Sequence, residues 1–216
     1  MRNDGIRPAV RLFRRKVMRP MRIFSTPAAA IIHLRDASLH PRVMPRRISE
    51  DFYRCGQIDC DELEELVKTK GIKAVVNLRG EKEGRHWYDE EIELCKDLGV
   101  KHFDVKMSSM EPWREAIIKY LEIINDRQNY PLDVHCTGHK DRSGLASAIY
   151  RVEILGHKTR DAMRELNPQP HKESMFYRFM SDYELFGEGR NKKFSEWTEE
   201  WDGKGYEQEK AKLLLA

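Results

Sequence analysis

The feature that most constrains the fold of this chain is a strand, a short loop and a helix that follow one another directly in residues 131–155. Pro131 to His135 is predicted to form a short strand that runs straight into Cys136. Ser143 to Leu155 carries its apolar residues at helical spacing, and Gly156 marks the end of that helix. A direct change from strand to helix is typical of βα units, so we predict an α/β domain.

The same alternation of short apolar runs with amphipathic segments begins at about Ile48. Asp59 and Glu62 have the spacing of a capping box, and Gly71 stands where that helix should end. On the segment from Lys101 to Met107, polar residues alternate with apolar ones, which predicts a strand with one polar face. The other predicted strands are Phe52–Tyr53 and Ala74–Leu78, and the other predicted helices are Tyr88–Leu98, a segment that begins near Pro112, and one around Phe176, Phe179, Met180 and Tyr183.

Length and charge divide the chain into three parts. Its 216 residues suit one domain with extensions, because single cores commonly span about 100 to 200 residues. We assign residues 48–186 to the domain, residues 1–47 to a basic N-terminal extension and residues 187–216 to a charged C-terminal tail. Trp197 and Trp201 stand four residues apart in this tail, which predicts a marginal peripheral helix or a mobile segment.

The N-terminal extension is strongly basic. It contains twelve Lys or Arg residues against Asp4 and Asp36, a charge of +10, so the remaining residues carry −7 of the net +3. Such a segment can bind an acidic partner, nucleic acid or an anionic surface, although it is more often simply solvated and disordered. It is also rich in Arg and poor in acidic residues, as transit peptides are, and Met18 or Met21 could be the true start.

Apolar runs and cysteines both indicate a protein that stays in the cytoplasm. The best candidate for a membrane segment, Pro27 to Leu34, is shorter than the roughly 18 apolar residues that a span needs. No apolar stretch with a cleavage site marks a secretory signal. The four cysteines do not have the density of a disulfide framework, which suits a reducing compartment.

The loop after the strand combines three groups that together can bind and cleave a phosphate ester. Thiols at helix N-termini ionise readily to nucleophilic thiolates, and Cys136 is expected at such a point. The residues from Thr137 to Asp141 can turn their backbone N–H groups around a phosphate. Arg142 can bind two phosphate oxygens through its planar guanidinium, and Ser143 can donate to the sulfur when it leaves. This chemistry proceeds through a phosphocysteine and needs neither a cofactor nor a metal.

The spacing His-Cys-x5-Arg-Ser at residues 135–143 resembles that of the cysteine-dependent protein tyrosine and dual-specificity phosphatases. The resemblance covers about residues 50–186. Phe52 to Gln57 and Gly71 to Glu81 are similar to the opening of small bacterial dual-specificity phosphatases, and Phe103 to Trp113 is similar to atypical fungal and plant members that cleave inositol pyrophosphates. The resemblance implies a central, mostly parallel sheet flanked by helices, and hydrolysis of phosphorylated proteins or inositol phosphates.

The chain departs from this family at the general acid. Relatives often carry an aspartate on the loop after the strand that ends here at Met107, whereas this chain has Ser108, Ser109, Met110 and Glu111 there. Glu111 is the first candidate for the role, Asp141 is the second and Asp104 is the third. A general acid is typically worth about 10²–10⁴ in rate, so its loss slows such an enzyme without abolishing activity.

A second departure lies inside the loop. The family usually has glycine three positions after the nucleophile, where this chain has His139 after Gly138. His139 and Lys140 are expected to place extra cations at the mouth of the site, and Arg79 to lie at the end of a neighbouring strand, which favours a strongly anionic substrate. The predicted catalytic residues are Cys136, Arg142, Ser143, Glu111 and Asp141, and the predicted substrate-binding residues are Thr137, Gly138, His139, Lys140, Asp141, Arg142 and Arg79.

Two other functions remain compatible with this loop. If nothing replaces the missing aspartate, the chain would be a pseudophosphatase or adaptor that binds phosphorylated ligands with little turnover. A sulfur-transferring enzyme of the rhodanese kind also uses a loop cysteine, but Arg142 and Ser143 at this spacing favour phosphate.

Several residues near the loop also have other interpretations. Cys136 and His139 could form half of a zinc site, although no second pair at ligand spacing follows. Cys55 or Cys60 could form a regulatory disulfide with Cys136, although idle thiols are more common. We expect His135 to be a structural hydrogen-bonding residue behind the cysteine rather than a base.

Overall fold

The computed structural model describes residues 45–166 and 175–201. Its strands are β1 (Arg46–Arg47), β2 (Phe52–Cys55), β3 (Ala74–Asn77), β4 (Lys101–Asp104) and β5 (Leu132–His135). Its α-helices are α1 (Cys60–Lys70), α2 (His86–Leu98), α3 (Arg114–Asn125), α4 (Asp141–Glu153), α5 (Thr159–Ala162), α6 (Met175–Phe186) and α7 (Phe194–Glu200). Short 3-10 turns lie at Arg127–Asn129, Met163–Glu165 and Glu188–Arg190.

The five strands form one sheet in the order β1-β2-β5-β3-β4. β2, β5, β3 and β4 run parallel, whereas β1 pairs with β2 in the antiparallel direction. Parallel neighbours need long crossover connections, and the amphipathic helices between the strands supply them. The carboxyl ends of the parallel strands therefore meet at one edge, where β5 leads into Cys136 at the centre of the sheet. The predicted α/β fold with a mostly parallel sheet is confirmed.

Helices cover both faces of the sheet, and neighbouring strand residues belong to different apolar clusters. Phe52 and Val76 pack in the larger cluster, with residues of α3, α4, α6 and α7. Tyr53 and Val75 pack in the smaller cluster, with residues of α1 and α2. A parallel sheet buried on both faces explains why its strands are short apolar runs.

Local sequence signals determine where the first helices begin and end. The Asp59 carboxylate accepts from the backbone N–H of Glu62 at 2.9 Å, and the Glu62 carboxylate accepts from the N–H of Asp59 at 3.1 Å. This is the capping box that the spacing predicts. Gly71 follows α1 with a φ of 66°, a left-handed conformation that glycine adopts without steric cost.

The packed core continues past residue 186, where the charge pattern predicts the end of the domain. Trp197 is 1% exposed and Trp201 is 5% exposed. Their rings lie 5.2 and 4.7 Å from the ring of Phe179 on α6. Burying a large apolar side chain contributes about 1.5–3 kcal/mol, so Trp197 and Trp201 belong to the core although they lie beyond residue 186.

The other predicted extensions fall largely outside the described residues. This applies to the basic residues 1–44 and to residues 202–216. Within the described segments, no helix has both the length and the apolar composition that crossing a membrane would require.

Candidate active site

Cys136 lies at the junction of the central strand and the helix that follows it. It comes directly after β5, and residues 136–142, here called the Cys136 loop, lead into the first turn of α4. The cysteine is 2% exposed. The first N–H groups of a helix have no partners within the helix, so this end of α4 provides free donors and the positive end of the helix dipole. The junction therefore has the form of an anion-binding site.

Two side chains from the first turn of α4, those of Arg142 and Ser143, contact Thr137 and Cys136. The Cys136 thiol donates to Oγ of Ser143 across 3.5 Å. Arg142 donates from Nη2 to Oγ1 of Thr137 at 3.3 Å. The Nε of Arg142 is buried and has no hydrogen-bond partner within the described residues. An unsatisfied buried donor costs about 1–3 kcal/mol, and a bound oxyanion would remove that cost.

The sharp turn of the loop occurs at His139, not at a glycine. His139 has a φ of 55°, in the left-handed region, whereas a side chain at Gly138 would meet nothing within 4 Å and Gly138 lies outside that region. A residue with a side chain pays about 1–2 kcal/mol to adopt the left-handed conformation. The glycine that the family usually has at this position therefore avoids a steric cost. In this chain other contacts must hold a histidine in the same left-handed conformation.

Arg54 supplies those contacts. Its Nε donates to Nε2 of His139 at 3.2 Å, and its Nη2 donates to the His139 backbone oxygen at 3.4 Å. Burial, together with the nearby Arg54 charge, lowers the pKa of His139 to about 4, so the ring is neutral at pH 7. The expectation that His139 places a cation at the mouth is therefore wrong, because the ring is an inward-facing acceptor. Lys140, by contrast, is exposed.

A buried carboxylate holds Arg54 in turn. Arg54 is 6% exposed, and its Nη1 donates to the backbone oxygen and the carboxylate of Glu165 at 3.0 and 3.2 Å. The Glu165 carboxylate also accepts from Arg46 at 2.9 Å and from Arg151 at 2.8 Å. Arg54 therefore connects Glu165 to His139 in the Cys136 loop. Packing against Glu165 also requires glycine at position 144, because a Cβ there would lie 2.8 Å from the Glu165 backbone oxygen.

Arg79, the predicted cation from a neighbouring strand, lies two residues beyond β3. Its Nη1 donates to Oε1 of Gln57 at 3.0 Å, and its guanidinium lies 3.7 Å from the centre of the Trp87 ring. The backbone N–H of Gln57 donates to the Thr137 carbonyl at 3.3 Å. Gln57 therefore connects Arg79 to the Cys136 loop.

The three candidate proton donors lie in different settings. Glu111 is exposed on the loop between β4 and α3, where its Oε1 accepts from Nε1 of Trp113 at 3.0 Å. Asp141 is the exposed first residue of α4. Both oxygens of Asp104 accept from buried side chains, so that carboxylate is already occupied. Within the described residues, no hydrogen bond joins Glu111 to the Cys136 loop.

A buried carboxylate that no sequence pattern predicts lies behind the strand that leads into the loop. Glu91 of α2 is 4% exposed, and its Oε1 accepts from Nε2 of His102 at 2.9 Å and from Nε2 of His135 at 3.1 Å. His135 thus makes the structural hydrogen bond expected of it. The polar face of β4 indicates that His102 needs a polar partner under α2, but it does not identify Glu91 as that partner.

Fold and site define the same class of protein. In parallel α/β sheets, ligands bind at the carboxyl ends of the strands, and here a buried thiol precedes the start of α4 in the same loop as an unsatisfied guanidinium nitrogen. The chain is a cysteine-dependent phosphatase of the protein tyrosine and dual-specificity type. Residues 36–179 match the family described as the DSP-PTPase phosphatase fused to NAD+ kinase, and the chain belongs to that family.

Solved structures of low sequence identity share this fold. The chain is similar to the core catalytic domain of the PP-IP phosphatase SIW14 from S. cerevisiae, with a TM-score of 0.53 and 21% identity over 70% of this chain and 91% of that one. It is similar to PTPMT1 in complex with PI(5)P, with a TM-score of 0.52 and 15% identity over 64% and 96%. It is also similar to Tk-PTP in the active form, with a TM-score of 0.51 and 20% identity over 66% and 97%. A comparison with curated proteins found no match.

We predict that glycine at position 139 stabilises the chain more than alanine does. Both substitutions remove the ring that accepts from Arg54, but only glycine adopts a φ of 55° without steric cost. The free energy of unfolding of His139→Gly should exceed that of His139→Ala by about 1 kcal/mol in urea denaturation. Lys140, with a φ of −111°, is the matched control, where glycine should give no gain over alanine. Equal stability of the two variants at 139 would contradict the left-handed turn.

Proposed function

We propose that Cys136 is the nucleophile of a phosphate-monoester hydrolase and that Arg142 binds the phosphate. The observation that carries this proposal is the buried, unsatisfied Nε of Arg142, which belongs to the same loop as a buried thiol at a helix N-terminus. A phosphate in the loop would accept from that Nε, from a second guanidinium nitrogen and from the free N–H groups of the helix.

Two displacement steps account for the reaction. The Cys136 sulfur attacks phosphorus, an S–P bond forms, and the P–O bond to the leaving group breaks as the leaving oxygen takes a proton. Water then attacks the phosphocysteine, the S–P bond breaks and inorganic phosphate leaves. The Ser143 hydroxyl, 3.5 Å from the sulfur, can donate to the departing thiolate.

Substitutions of Cys136 and Arg142 test these roles. Cys136→Ser should abolish phosphate release from p-nitrophenyl phosphate, because a serine hydroxyl without an activating base is a far weaker nucleophile than a thiolate. Arg142→Lys should lower kcat/KM by about 10²–10³, because lysine lacks the planar fork that binds two oxygens. Chelators should leave the rate unchanged. Turnover that survived Cys136→Ser would contradict the proposal, and phosphate binding without any turnover would indicate an adaptor.

We further propose that Glu111 donates the proton to the leaving group, with Asp141 as the alternative. Glu111 lies on the loop after β4, which is where the resembling family carries its acid. Its neighbours Met110 and Trp113 are 77% and 40% exposed. The loop is therefore not packed into the core, and a substrate can contact it.

A comparison of substrates with different leaving groups tests whether Glu111 is the general acid. Glu111→Gln should slow hydrolysis of an alkyl phosphate by about 10²–10⁴, because an alkoxide needs a proton to leave. The effect on p-nitrophenyl phosphate should be much smaller, because nitrophenolate leaves without one. Asp141→Asn is the matched comparison and should have little effect on either substrate. The reverse pattern, with the loss in Asp141→Asn, would assign the acid to Asp141.

We propose that the physiological substrate is strongly anionic and that inositol polyphosphates or pyrophosphates are at least as good substrates as phosphotyrosine peptides. Arg79 and Lys140 supply positive charge around the Cys136 loop, although His139 does not. The similar protein SIW14 is a PP-IP phosphatase, and PTPMT1 was solved with PI(5)P.

The family description favours a second candidate substrate. A phosphatase joined to NAD+ kinase acts beside an enzyme that makes NADP+, whose 2′-phosphate is a monoester. The Trp87 ring and the Arg79 guanidinium, 3.7 Å from the ring centre, combine an aromatic surface with a cation. Adenine stacks on aromatic rings and phosphate pairs with arginine, so this pair suits an adenosine phosphate.

A comparison of substrates tests both candidates. The values of kcat/KM for an inositol pyrophosphate, inositol hexakisphosphate, NADP+ and a phosphotyrosine peptide should be highest for one of the small polyanions. Arg79→Gln should lower that value more than it lowers kcat/KM for p-nitrophenyl phosphate, which has no second charged group. Turnover of the peptide alone would contradict both candidates.

We also propose a cytoplasmic location, because a thiolate nucleophile needs a reducing compartment. All four cysteines are free thiols. Cys55 donates to Asp133 at 3.2 Å, and burial with that carboxylate raises the pKa of Cys55 well above its ordinary value. Cys55 is therefore a poor attacking partner for a disulfide with Cys136.

A further inference from the structure

The Glu91 carboxylate has no role in the proposed reaction, yet it is 4% exposed and accepts three hydrogen bonds. The donors are Nε2 of His135 at 3.1 Å, Nε2 of His102 at 2.9 Å and Nε2 of Gln57 at 2.8 Å. An ionised carboxylate is costly to bury unless it is paired and hydrogen-bonded. Although burial would raise the pKa of Glu91, the neighbouring histidines lower it below its ordinary value, so Glu91 is charged.

Two of the three donors belong to the active site. His135 directly precedes Cys136. Gln57 donates through its backbone to Thr137, the residue after Cys136, at 3.3 Å. Glu91 therefore holds the residue before the thiol directly and the residue after it through Gln57. His102, on β4, holds the carboxylate from the neighbouring strand.

The donor atoms of Glu91, His102 and His135 lie within 4.8 Å of one another, a set that can also bind a metal ion. A tetrahedral zinc ion, at about 2.0–2.1 Å from each ligand, would hold ligand atoms about 3.3 Å apart. The observed separations of 2.9 and 3.1 Å are those of ordinary hydrogen bonds. The geometry therefore favours protons between these atoms.

Several titratable groups face the His135 ring. Glu91 approaches from α2, His102 on β4 shares its carboxylate oxygen, Asp133 lies on the same strand, Cys136 follows directly, and Cys55 stands opposite on β2. Burial alone would lower the pKa of His135, but the Glu91 carboxylate raises it above its ordinary value, with smaller contributions from Asp133 and Cys136. Burial raises the pKa of Asp133 to about 6, and Cys55 stays a neutral thiol. The negative charge facing His135 at pH 7 thus comes first from Glu91.

We propose that Glu91 is a positioning residue for Cys136: it holds His135, the residue directly before the thiol, as an imidazolium and holds Gln57 against the Cys136 loop. This inference rests on the proposed role of Cys136. A positive ring on the residue next to the cysteine favours the thiolate, which is the reactive form. Without Glu91 the buried ring loses its proton, because burial favours neutral histidine. The sulfur then loses the neighbouring positive charge that favours its reactive form.

The test measures the reactivity of the sulfur directly in the full chain. The thiolate displaces iodide from iodoacetamide and forms an S–C bond, and mass spectrometry of the Cys136 peptide gives the rate at each pH. Glu91→Gln should lower the rate at pH 6 about tenfold and move the whole profile to higher pH. Glu91→Asp keeps the charge and should show a smaller change. Glu93→Gln, which removes an exposed carboxylate from the same helix, should leave the profile unchanged.

A measurement on the unaltered chain keeps the proposal testable if Glu91→Gln does not fold. Long-range ¹H–¹⁵N NMR should show both ring nitrogens of His135 protonated at pH 7. A neutral His135 ring at that pH would overturn the proposal. So would an unchanged alkylation profile in a folded Glu91→Gln variant, or a profile that a chelator alters in the unaltered chain.

Failure of this inference can be distinguished from failure of the proposed function. Alkylation needs no substrate, so the profile reports on Glu91 and His135 whether or not the chain hydrolyses a phosphate ester. Turnover by Cys136→Ser would show that Cys136 is not the nucleophile, but the alkylation result for Glu91 would still hold. Conversely, an unchanged alkylation profile in Glu91→Gln would contradict the role of Glu91. The loss of turnover in Cys136→Ser would still support Cys136 as the nucleophile.

Discussion

The site depends on one constraint, which is that a buried sulfur must stand where free N–H groups favour negative charge. β5 lies between β2 and β3 in a sheet with four parallel strands, so Cys136 leaves the strand at the edge where these four strands end. The next helix begins at Asp141, and its first N–H groups point back toward the loop. A turn this tight is not stable by itself, because its sharpest residue is a histidine in the left-handed conformation. The buried contacts around the loop must therefore stabilise it.

Two histidines of the same segment show how those contacts work. His135 lies against the Glu91 carboxylate, which favours the protonated ring, whereas His139 lies against the Arg54 guanidinium, which requires the neutral ring as an acceptor. Each buried ion is compensated, Glu91 by three donors and Arg54 by a carboxylate and two acceptors on the loop. Removing one partner of such a buried pair costs more than the pair contributes, since the other is left uncompensated. Glu91 therefore favours a positive ring on the residue before the sulfur, while the turn is held by a neutral ring.

Local patterns predicted the frame of this site but not the contacts that tune it. The capping box at Asp59 and the strand-loop-helix order around Cys136 depend on residues close in sequence, so they could be recognised directly. Glu91 could not, because its partners lie on three other segments and only the folded sheet brings them together. His139 resembled a surface cation, and its neutrality depends on a distant arginine. Trp197 stood among charged residues, and only packing against α6 shows that it belongs to the core.

The central claim is that catalysis passes through a covalent phosphate on Cys136. The most direct measurement is rapid acid quenching of the full chain during turnover of p-nitrophenyl phosphate, followed by mass spectrometry of the peptide that contains Cys136. We predict one phosphate bound to this peptide early in turnover, an amount that increases in a Ser143→Ala variant because the thiolate then leaves more slowly. Steady release of phosphate with no adduct on Cys136, or with the phosphate on another residue, would contradict the account.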